Sequence, residues 1–324
     1  MDRPTVAVDR GPAGAPGWRP DPGAVDLVAD PGALPVRPGS LGGLRLGGAL
    51  EHLRPEDVPM ALAGAHRALS VGGRLELAVA ADGEDGRDGD NGATAPPGAT
   101  RWRPGALEDL LVGAGFTVEV LDRAPAGAPP PAGRPALGGD GRSPSPPGTA
   151  RLAVRARRAR SLPDTVGPGM RLLVCGLNPS LYAADAGVGF ARPGNRFWPA
   201  ALAAGIVTVD RSPDRALRDH GVGMTDLVKR ATVAAAELTA DEYRAGLARI
   251  ERLVRWLRPG ALCVVGLAGW RAAADRRARP GVQPGGLGGV PVYVMPSTSG
   301  LNARTSLGEL TDHLRAAARL ADGT

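Results

Sequence analysis

The sequence predicts an α/β protein, and its clearest part is an α/β/α sandwich with a parallel central sheet over residues 169–324. Three observations support this prediction. Apolar runs of strand length recur through the region without polar alternation, as in strands that are buried on both faces. Amphipathic helical patterns alternate with these runs. Gly and Pro residues mark the boundaries between them.

The elements of this half can be assigned in chain order. Predicted strands are RLLVCGL (171–177), ALCVVGL (261–267) and VPVYVMPS (290–297). Predicted helices are NRFWPAALAAG (195–205), TADEYRAGLARIERLVRWLRPG (239–260), AGWRAAADRRA (268–278) and TSLGELTDHLRAAARLAD (305–322). LRDHGVGMTDLV (217–228) is predicted as a short helix followed by a strand or turn into Asp226. The best-marked helix begins at Thr239, since Glu242 completes a capping box there, and Pro259-Gly260 ends it.

The first half has weaker patterns. Residues 1–22 are rich in Pro and Gly and are predicted to be a disordered tail, 82–100 and 124–150 are predicted loops, and 161–168 is a predicted linker. The remaining patterns predict a weak strand at 24–28, a helix at 56–69 ended by a turn at 70–73, a strand at 73–81, a helix at 104–116, a strand at 117–123 and a last edge strand at 151–160.

The composition favours a soluble protein without a metal centre. A net charge of +6 and a pI of about 10.2 are compatible with a polyanionic partner such as DNA, but GC-rich coding bias explains the arginine excess equally well, because Lys229 is the only lysine. Cys175 and Cys263 lie in apolar runs and are expected to be buried free thiols, and the histidines show no metal-ligand spacing. Neither a signal peptide nor a membrane span is expected, and the expected location is the cytoplasm, in association with the nucleoid.

Two unusual segments follow predicted strand ends. GLNPSLYAADAGVGFARPGNRFW (176–198) places Phe190, Phe197 and Trp198 within nine positions of a chain that has only 3 Phe and 5 Trp. MPSTSGLNAR (295–304) follows the last strand. Because sites in parallel sheets lie beyond the carboxyl ends of the strands, these segments are the predicted functional site.

Together the two segments resemble the mismatch-specific uracil/thymine-DNA glycosylases, the Mug/TDG branch of the uracil-DNA glycosylase superfamily. GVGMTDLVKRAT (221–232) and ALCVVGLAGW (261–270) also match, so that the resemblance covers residues 169–322. It implies an enzyme that hydrolyses the N-glycosidic bond of uracil opposite guanine in double-stranded DNA, with thymine or modified pyrimidines as further candidates. Such an enzyme flips the base out of the duplex, and no cofactor or metal is expected.

The resemblance assigns roles in the first segment. Asn178 corresponds to the catalytic Asn, whose carboxamide positions a water toward the anomeric carbon. Phe190 corresponds to the aromatic residue that stacks on the base, and Leu177 and Ser180 complete the base-binding group. Ser180 stands where the family more often has Gly, which bears on the acceptance of thymine. Two plainer interpretations stay open: Asn178 as a turn-capping Asn before Pro179, and Phe190 as an ordinary core residue.

By the same resemblance the second segment contacts DNA. Leu301 corresponds to the apolar wedge that enters the duplex where the base has left; the alternative is that Leu301 caps the last helix against the core. Further DNA contacts are expected from Ser297, Ser299, Gly300, Asn302 and Arg304, together with Asn195 and Arg196 of the first segment. Two alternatives stay open for Arg196: it holds the loop, or it forms a structural salt bridge.

Lys229 bears on the type of glycosylase. A glycosylase that is also a lyase uses an amine to form a Schiff base. The only lysine lies away from both segments in the sequence. The predicted enzyme is therefore monofunctional, leaves an abasic site, and is expected to be a monomer.

Residues 23–160 loosely resemble a truncated class I S-adenosylmethionine-dependent methyltransferase, which implies a partial Rossmann-like region. The segments that carry this resemblance are LEHL (50–53), HRALSVGGRLELAV (66–79), LLVGAGFTVEVLDR (110–123) and RLAVRARR (151–158). No Gly-rich cofactor loop precedes residue 24, and GSLGGLRLGG (39–48) lies at the wrong place in the order, so an inactive domain is favoured. Two other functions stay open: a methyltransferase acting on nucleic acid with a C-terminal recognition domain, and a non-catalytic DNA-binding module.

Overall fold

The computed structural model describes residues 5–9, 25–28, 34–47, 50, 53–82, 100–124 and 150–324. The chain divides after Ala159 into two compact units. Both are mixed α/β, as the sequence predicts. The predicted loops at 82–100 and 124–150 fall almost entirely outside the described residues.

The first unit is a seven-stranded sheet with helices packed on it. Its described strands are β1 (Thr5–Asp9), β2 (Val25–Val28), β3 (Leu41–Gly47), β4 (Leu69–Ala81), β5 (Arg101–Trp102), β6 (Phe116–Ala124) and β7 (Arg151–Arg158), in the order β2-β1-β3-β4-β7-β6 with β5 beside β4. The β3–β4 and β4–β5 pairs are parallel and the others antiparallel. Its helices are α1 (Val58–Ala68) and α2 (Pro104–Gly113), and a 3-10 turn at Pro55–Asp57 leads into α1.

Three sequence predictions for this unit differ from the structure. Residues 5–9, inside the predicted disordered tail, form β1. The predicted turn at 70–73 lies within β4, where the ladder with β3 shifts register and Gly72 has a φ of +80°, a conformation that favours Gly. The predicted edge strand β7 instead pairs with β4 and β6 on its two sides. Its alternation of apolar and basic residues reflects one buried face, which an interior antiparallel strand also has.

The second unit is the predicted α/β/α sandwich. Its sheet has the order β11-β12-β10-β8-β9, formed by β8 (Leu172–Gly176), β9 (Val222–Asp226), β10 (Ala261–Val265), β11 (Gly281–Leu287) and β12 (Val290–Met295). Only β11 is antiparallel to its neighbour. The helices are α3 (Leu181–Ala186), α4 (Phe197–Ala204), α5 (Pro213–His220), α6 (Ala240–Leu257), α7 (Leu267–Ala273) and α8 (Leu307–Ala321), with a 3-10 turn at Ala235–Glu237.

The core of the second unit lies on both faces of this sheet. Alternate residues of β8 separate the two sides: Leu172 and Val174 pack with α4 and α8, whereas Leu173 and Cys175 pack with α6 and α7. This two-sided burial explains why the parallel strands are continuously apolar in the sequence. Both Cys175 and Cys263 are buried free thiols, as predicted.

The helix ends follow the sequence closely. Thr239 and Glu242 form the predicted capping box of α6, and Ser306 and Glu309 form another at α8. Gly205 ends α4 in the left-handed conformation. β11 was not predicted, since its sequence GVQPGGL contains Pro and Gly; antiparallel pairing with β12 holds it in place.

The segment 161–168, predicted as a linker, is packed within the second unit. Thr165 exchanges main-chain hydrogen bonds with Met224 of β9, both 2.8 Å. The Ser161 hydroxyl donates to the main-chain carbonyl of Lys229. Asp164 is buried and ion-paired, which composition did not indicate.

Candidate active site

The candidate site lies at the carboxyl ends of β8, β9 and β12. Residues 177–196, which follow β8, are termed the first loop, and residues 296–306, which follow β12, the second loop. β8 and β9 end side by side, with Gly176 paired to Asp226 in the ladder. This is the edge where parallel sheets place their functional residues.

The chain after β9 continues beside the first loop in the same direction. Four main-chain hydrogen bonds join it to Gly176 and the first loop: Leu227 N to Gly176 O (2.9 Å), Val228 N to Leu177 O (2.9 Å), Thr232 N to Pro179 O (3.2 Å) and Leu181 N to Thr232 O (3.3 Å). The beginning of the first loop is therefore held as firmly as a strand pair.

These contacts fix the orientation of the Asn178 carboxamide. Its Nδ2 donates to the carbonyl oxygen of Arg230 (3.0 Å) and to Thr232 Oγ1 (2.8 Å). A carbonyl oxygen can only accept, so the amide nitrogen and not the amide oxygen must face Arg230. Oδ1 then points the other way, and no described residue donates a hydrogen bond to it. The site thus holds an oriented acceptor whose lone pairs are available.

Phe190 forms an aromatic surface in the first loop. It is half-buried, and its ring stacks on Phe197 with centroids 4.2 Å apart and planes inclined by 21°. The φ of Phe190 is +58°, a left-handed conformation that costs about 1–3 kcal/mol in a bulky residue. Packing must therefore hold the ring in place. Phe197 and Trp198 are fully buried in the core, so the aromatic cluster joins the candidate site to the scaffold.

Asp226 lies next to this ring. A Cβ atom added to Gly176 would be 2.5 Å from Asp226 Oδ1 and 3.3 Å from Phe190 Cζ. The carboxyl group and the ring edge therefore occupy the space that a side chain at residue 176 would need. Burial raises the pKa of Asp226 to about 6.

A cluster of buried charges supports this end of β9. Asp164 accepts hydrogen bonds from Thr225 Oγ1 (2.7 Å), Lys229 Nζ (2.8 Å) and Arg249 Nη1 (2.7 Å). Burial alone would raise the pKa of Asp164, but the two cations and the hydrogen bonds hold it below the usual range. Arg249 also donates to the main-chain carbonyl of Asp226 at 2.8 Å. The cluster fixes the chain that in turn orients Asn178.

The second loop holds its shape through local hydrogen bonds. The hydroxyls of Ser297 and Ser299 accept from main-chain N–H groups two residues ahead. Asn302 Nδ2 donates to the Ser297 carbonyl at 2.8 Å. With these groups satisfied, Leu301 stands at the tip with 87% of its surface exposed. The alternative in which Leu301 packs against the last helix does not match this exposure.

The two loops are in contact. Arg196 donates to the main-chain carbonyls of Ser299 (3.3 Å), Asn302 (2.5 Å) and Thr305. A Cβ added to Gly300 would lie 2.9 Å from the Gly194 carbonyl oxygen, so the loops approach there without side chains between them. Arg196 therefore holds the second loop, one of the alternatives left open for it, and its guanidinium is occupied by carbonyl groups.

Three other predicted site residues have structural contacts. The Leu177 side chain packs against Gly269 of α7 and belongs to the core on that face of the sheet, so only its main chain remains for a base. The Ser180 hydroxyl caps α3, accepting from Ala183 N at 3.2 Å. Asn195 Oδ1 accepts from Phe197 N at 2.9 Å and so stabilises the start of α4.

Two exposed arginines flank the loops. Arg304, which was predicted to contact DNA, and Arg192, which was not assigned a role, have no ion-pair or hydrogen-bond partner for their guanidinium groups within the described part of the chain. Arg192, Thr232, Asp226 and Asp164 are the site residues that sequence reasoning missed. Arg192 belongs to the first loop itself, whereas Thr232, Asp226 and Asp164 lie near the site because of the strand register and the path of the chain after β9.

The second unit thus carries a polar and aromatic site at the carboxyl ends of parallel strands. The family profile described as "Uracil DNA glycosylase superfamily" matches residues 163–320. This part of the chain therefore matches the profile of a superfamily whose members are DNA glycosylases, hydrolases that act on DNA. The match begins within the segment predicted as a linker.

Solved structures share weaker similarity with the chain. A candidate uracil DNA glycosylase from Methanosarcina acetivorans is 20% identical, covering 50% of this chain and 97% of its own, with a TM-score of 0.37. An S-adenosylmethionine-dependent methyltransferase from Methanosarcina mazei is 14% identical, covering 45% and 73%, with a TM-score of 0.31. Burkholderia thailandensis 1,6-didemethyltoxoflavin-N1-methyltransferase is 21% identical, covering 41% and 50%, with a TM-score of 0.30. Such low TM-scores support no conclusion on activity.

The described residues offer neither a membrane span nor a cluster of metal ligands. No described helix has the length and apolarity needed to cross a bilayer. No cluster of three or more potential His, Cys, Asp or Glu metal ligands occurs among the same residues.

Proposed function

We propose that this protein is a monofunctional, mismatch-specific DNA glycosylase of the Mug/TDG type. It hydrolyses the N-glycosidic bond of uracil opposite guanine and leaves an abasic site for base excision repair. The observation that carries the proposal is the orientation of Asn178, whose amide nitrogen is bound by Arg230 and Thr232 while Oδ1 has no donor.

Asn178 acts by holding a water. An amide is not a base at neutral pH, but Oδ1 can accept a hydrogen bond and fix the oxygen of the water toward the anomeric carbon of the sugar. Positioning of this kind lowers the barrier because the entropy of orientation is lost before the reaction. The Arg230 carbonyl and the Thr232 hydroxyl keep the amide from turning.

The base must leave the stack before this water can reach its sugar. Phe190 offers the extruded base a ring to stack on, backed by Phe197. Leu301 is suited to fill the space left in the duplex, because it is apolar and exposed at the tip of a loop whose polar groups are satisfied. Arg192 and Arg304 are available for phosphates on either side.

A lyase step is not part of the proposal. Lys229 Nζ is ion-paired with Asp164 at 2.8 Å, and its side chain is only 8% exposed. An amine that is buried in an ion pair is not placed to attack a sugar aldehyde. Borohydride should therefore trap no covalent complex with DNA.

The geometry of the Gly-rich segment does not favour the methyltransferase alternative. The Gly-rich segment 39–48 is largely strand β3, so Gly43 lies in a ladder and not in a loop that could cradle a cofactor. The proposed activity is assigned to the second unit alone.

The proposal is tested with labelled duplexes that contain G:U, G:T, A:U or G:C, followed by alkaline cleavage of abasic sites. We expect product from G:U, less from G:T because Ser180 replaces the more usual Gly, and none from G:C. Asn178→Ala, purified in parallel, controls for contaminating glycosylase. Absence of product from G:U, or equal product from the variant, would overturn the proposal.

A further inference from the structure

Phe190 has a backbone conformation that a bulky residue rarely adopts. Its φ of +58° lies in the left-handed region, which it shares, among the non-Gly residues that the structure describes, only with Arg211 and Arg258. Both arginines are exposed, whereas Phe190 is half-buried in the loop that contains Asn178. Strain of this kind persists only where the surrounding structure maintains it. Contacts within the protein must therefore keep residue 190 left-handed.

The indole of Trp198 holds the peptide bond that precedes Phe190. Its Nε1–H donates to the main-chain carbonyl oxygen of Gly189 at 2.8 Å. Because the peptide group is planar, fixing this carbonyl fixes the whole Gly189–Phe190 peptide and with it one of the two planes that define φ of Phe190. Trp198 has no exposed surface, so water does not compete for its donor.

The start of α4 also supports the ring of Phe190. Phe197 stacks on Phe190 with centroids 4.2 Å apart, and Trp198 meets Phe197 edge to face at 5.4 Å. The start of the helix is itself anchored, since Arg196 N donates to the carbonyl oxygen of Thr298 at 2.9 Å. Trp198 therefore acts on Phe190 in two ways, through the peptide before it and through the ring that backs it.

The position of the Phe190 ring matters before a base arrives. An extruded base gains the full free energy of stacking only if the ring already lies where the base will be, because ordering a mobile ring on binding has an entropic cost. A misplaced base also misplaces its sugar relative to the water at Asn178, and small errors of this kind lower the rate strongly.

We propose that Trp198 is a positioning residue, whose indole N–H holds the Gly189–Phe190 peptide so that the Phe190 ring is in place before an extruded pyrimidine stacks on it. This inference rests on the glycosylase function proposed above. Trp198 is fully buried and acts only through Phe190. When the indole N–H is removed, residue 190 relaxes toward negative φ and its ring leaves the stacking position.

The test is a double-mutant cycle on single-turnover excision of uracil from a G:U duplex, at a temperature at which every variant is folded. Trp198→Phe keeps an aromatic core residue but removes the N–H, and it should slow excision about tenfold. In the Phe190→Ala background the same substitution should change the rate by less than about twofold, because no ring remains to be positioned. Trp256→Phe, on the other face of the sheet, is the matched control and should follow wild type.

The outcomes separate the two proposals. The same loss from Trp198→Phe with and without the Phe190 ring would overturn the positioning role, because independent contributions add. A wild-type rate in Trp198→Phe would overturn it as well. Either result leaves the glycosylase function intact. That function fails instead if wild type releases no uracil, or if Asn178→Ala is as active as wild type.

The strain at residue 190 is tested separately with Trp198 in place, so that the proposal does not depend on the folding of Trp198→Phe. Gly adopts positive φ without cost, whereas Ala does not. Phe190→Gly should therefore melt a few degrees higher than Phe190→Ala. An equal or lower melting temperature for Phe190→Gly would show that residue 190 is not held left-handed, and the proposal would be wrong.

Discussion

The two loops of the candidate site are built in opposite ways. The first loop is held from outside, by hydrogen bonds from the chain after β9 and by a buried charge cluster that centres on Asp164. The second loop is held mostly by its own Ser and Asn side chains and by Arg196, and it ends in an exposed Leu301. The difference suggests a division of labour in which the first loop does chemistry that needs exact placement and the second loop opens the DNA.

The largest effect is expected at Gly176, where the first loop begins. Gly176→Ala would place a Cβ 2.5 Å from the Asp226 carboxyl and 3.3 Å from the Phe190 ring, so one of them must move. Displacing site groups by about 1 Å costs about 100-fold in rate. Gly189→Ala in the same loop is the control, because its Cβ would meet only Leu162, at 3.9 Å. Similar excision rates in the two variants would contradict this view of the site.

Phe190 should affect activity, whereas Phe197 should affect stability. Base–aromatic stacking is worth about 1–3 kcal/mol, so Phe190→Ala should lower the excision rate about 10- to 100-fold with a small change in melting temperature. Phe197 is fully buried, and Phe197→Ala should cost about 3–5 kcal/mol of unfolding free energy. The excision rates and melting temperatures of both variants test this prediction. If Phe190→Ala lowers stability more and Phe197→Ala lowers activity more, Phe190 is the ordinary core residue.

Thr232 should have a smaller effect, through the orientation of Asn178. Thr232→Val removes the hydroxyl that accepts from Nδ2 at 2.8 Å but leaves the Arg230 carbonyl in place. One lost hydrogen bond of about 1 kcal/mol should lower the excision rate about fivefold at unchanged DNA affinity. Thr232→Ser keeps the hydroxyl and should retain activity. Equal loss in both variants would show that packing, and not the hydrogen bond, matters there.

The smallest effect is on stability and concerns Asp226, the last residue of β9. The folded-state pKa of Asp226, about 6, exceeds its ordinary value of 3.8, so the native state holds the proton more tightly than the unfolded chain. Its stabilising contribution is complete below about pH 4 and is lost as the pH rises through 6, by about 1–3 kcal/mol. Asp226→Asn should therefore raise the melting temperature at pH 8 relative to wild type by a few degrees more than at pH 4. A pH-independent difference would argue against a raised pKa.

The sequence predicted those strands and helix ends whose formation depends on residues close together in the chain. The parallel strands are continuously apolar because both faces are covered, and the capping box of α6 is read directly from Thr239 and Glu242. Both site loops could be placed because they follow strand ends.

What sequence reasoning missed depends on register and side-chain direction. Asp226 comes next to Phe190 only because Gly176 and Asp226 are paired across two parallel strands. Leu177 points into the core on the far face, although it is adjacent to Asn178 in the chain. Asp164 lies in a Pro- and Gly-containing segment that resembles a linker in composition. No pattern in the neighbouring sequence indicates where these three side chains lie.

The division of labour between the two loops is tested most directly by measuring two variants on two substrates each. Single-turnover excision of uracil is measured for Asn178→Ala and Leu301→Ala on a G:U duplex and on the same strand unpaired. Asn178→Ala should slow both substrates by the same factor, because it acts on the chemical step. Leu301→Ala should slow the duplex and leave the single strand unchanged, because only a duplex needs to be opened. Equal losses on both substrates for Leu301→Ala, or a loss confined to the duplex for Asn178→Ala, would contradict the account.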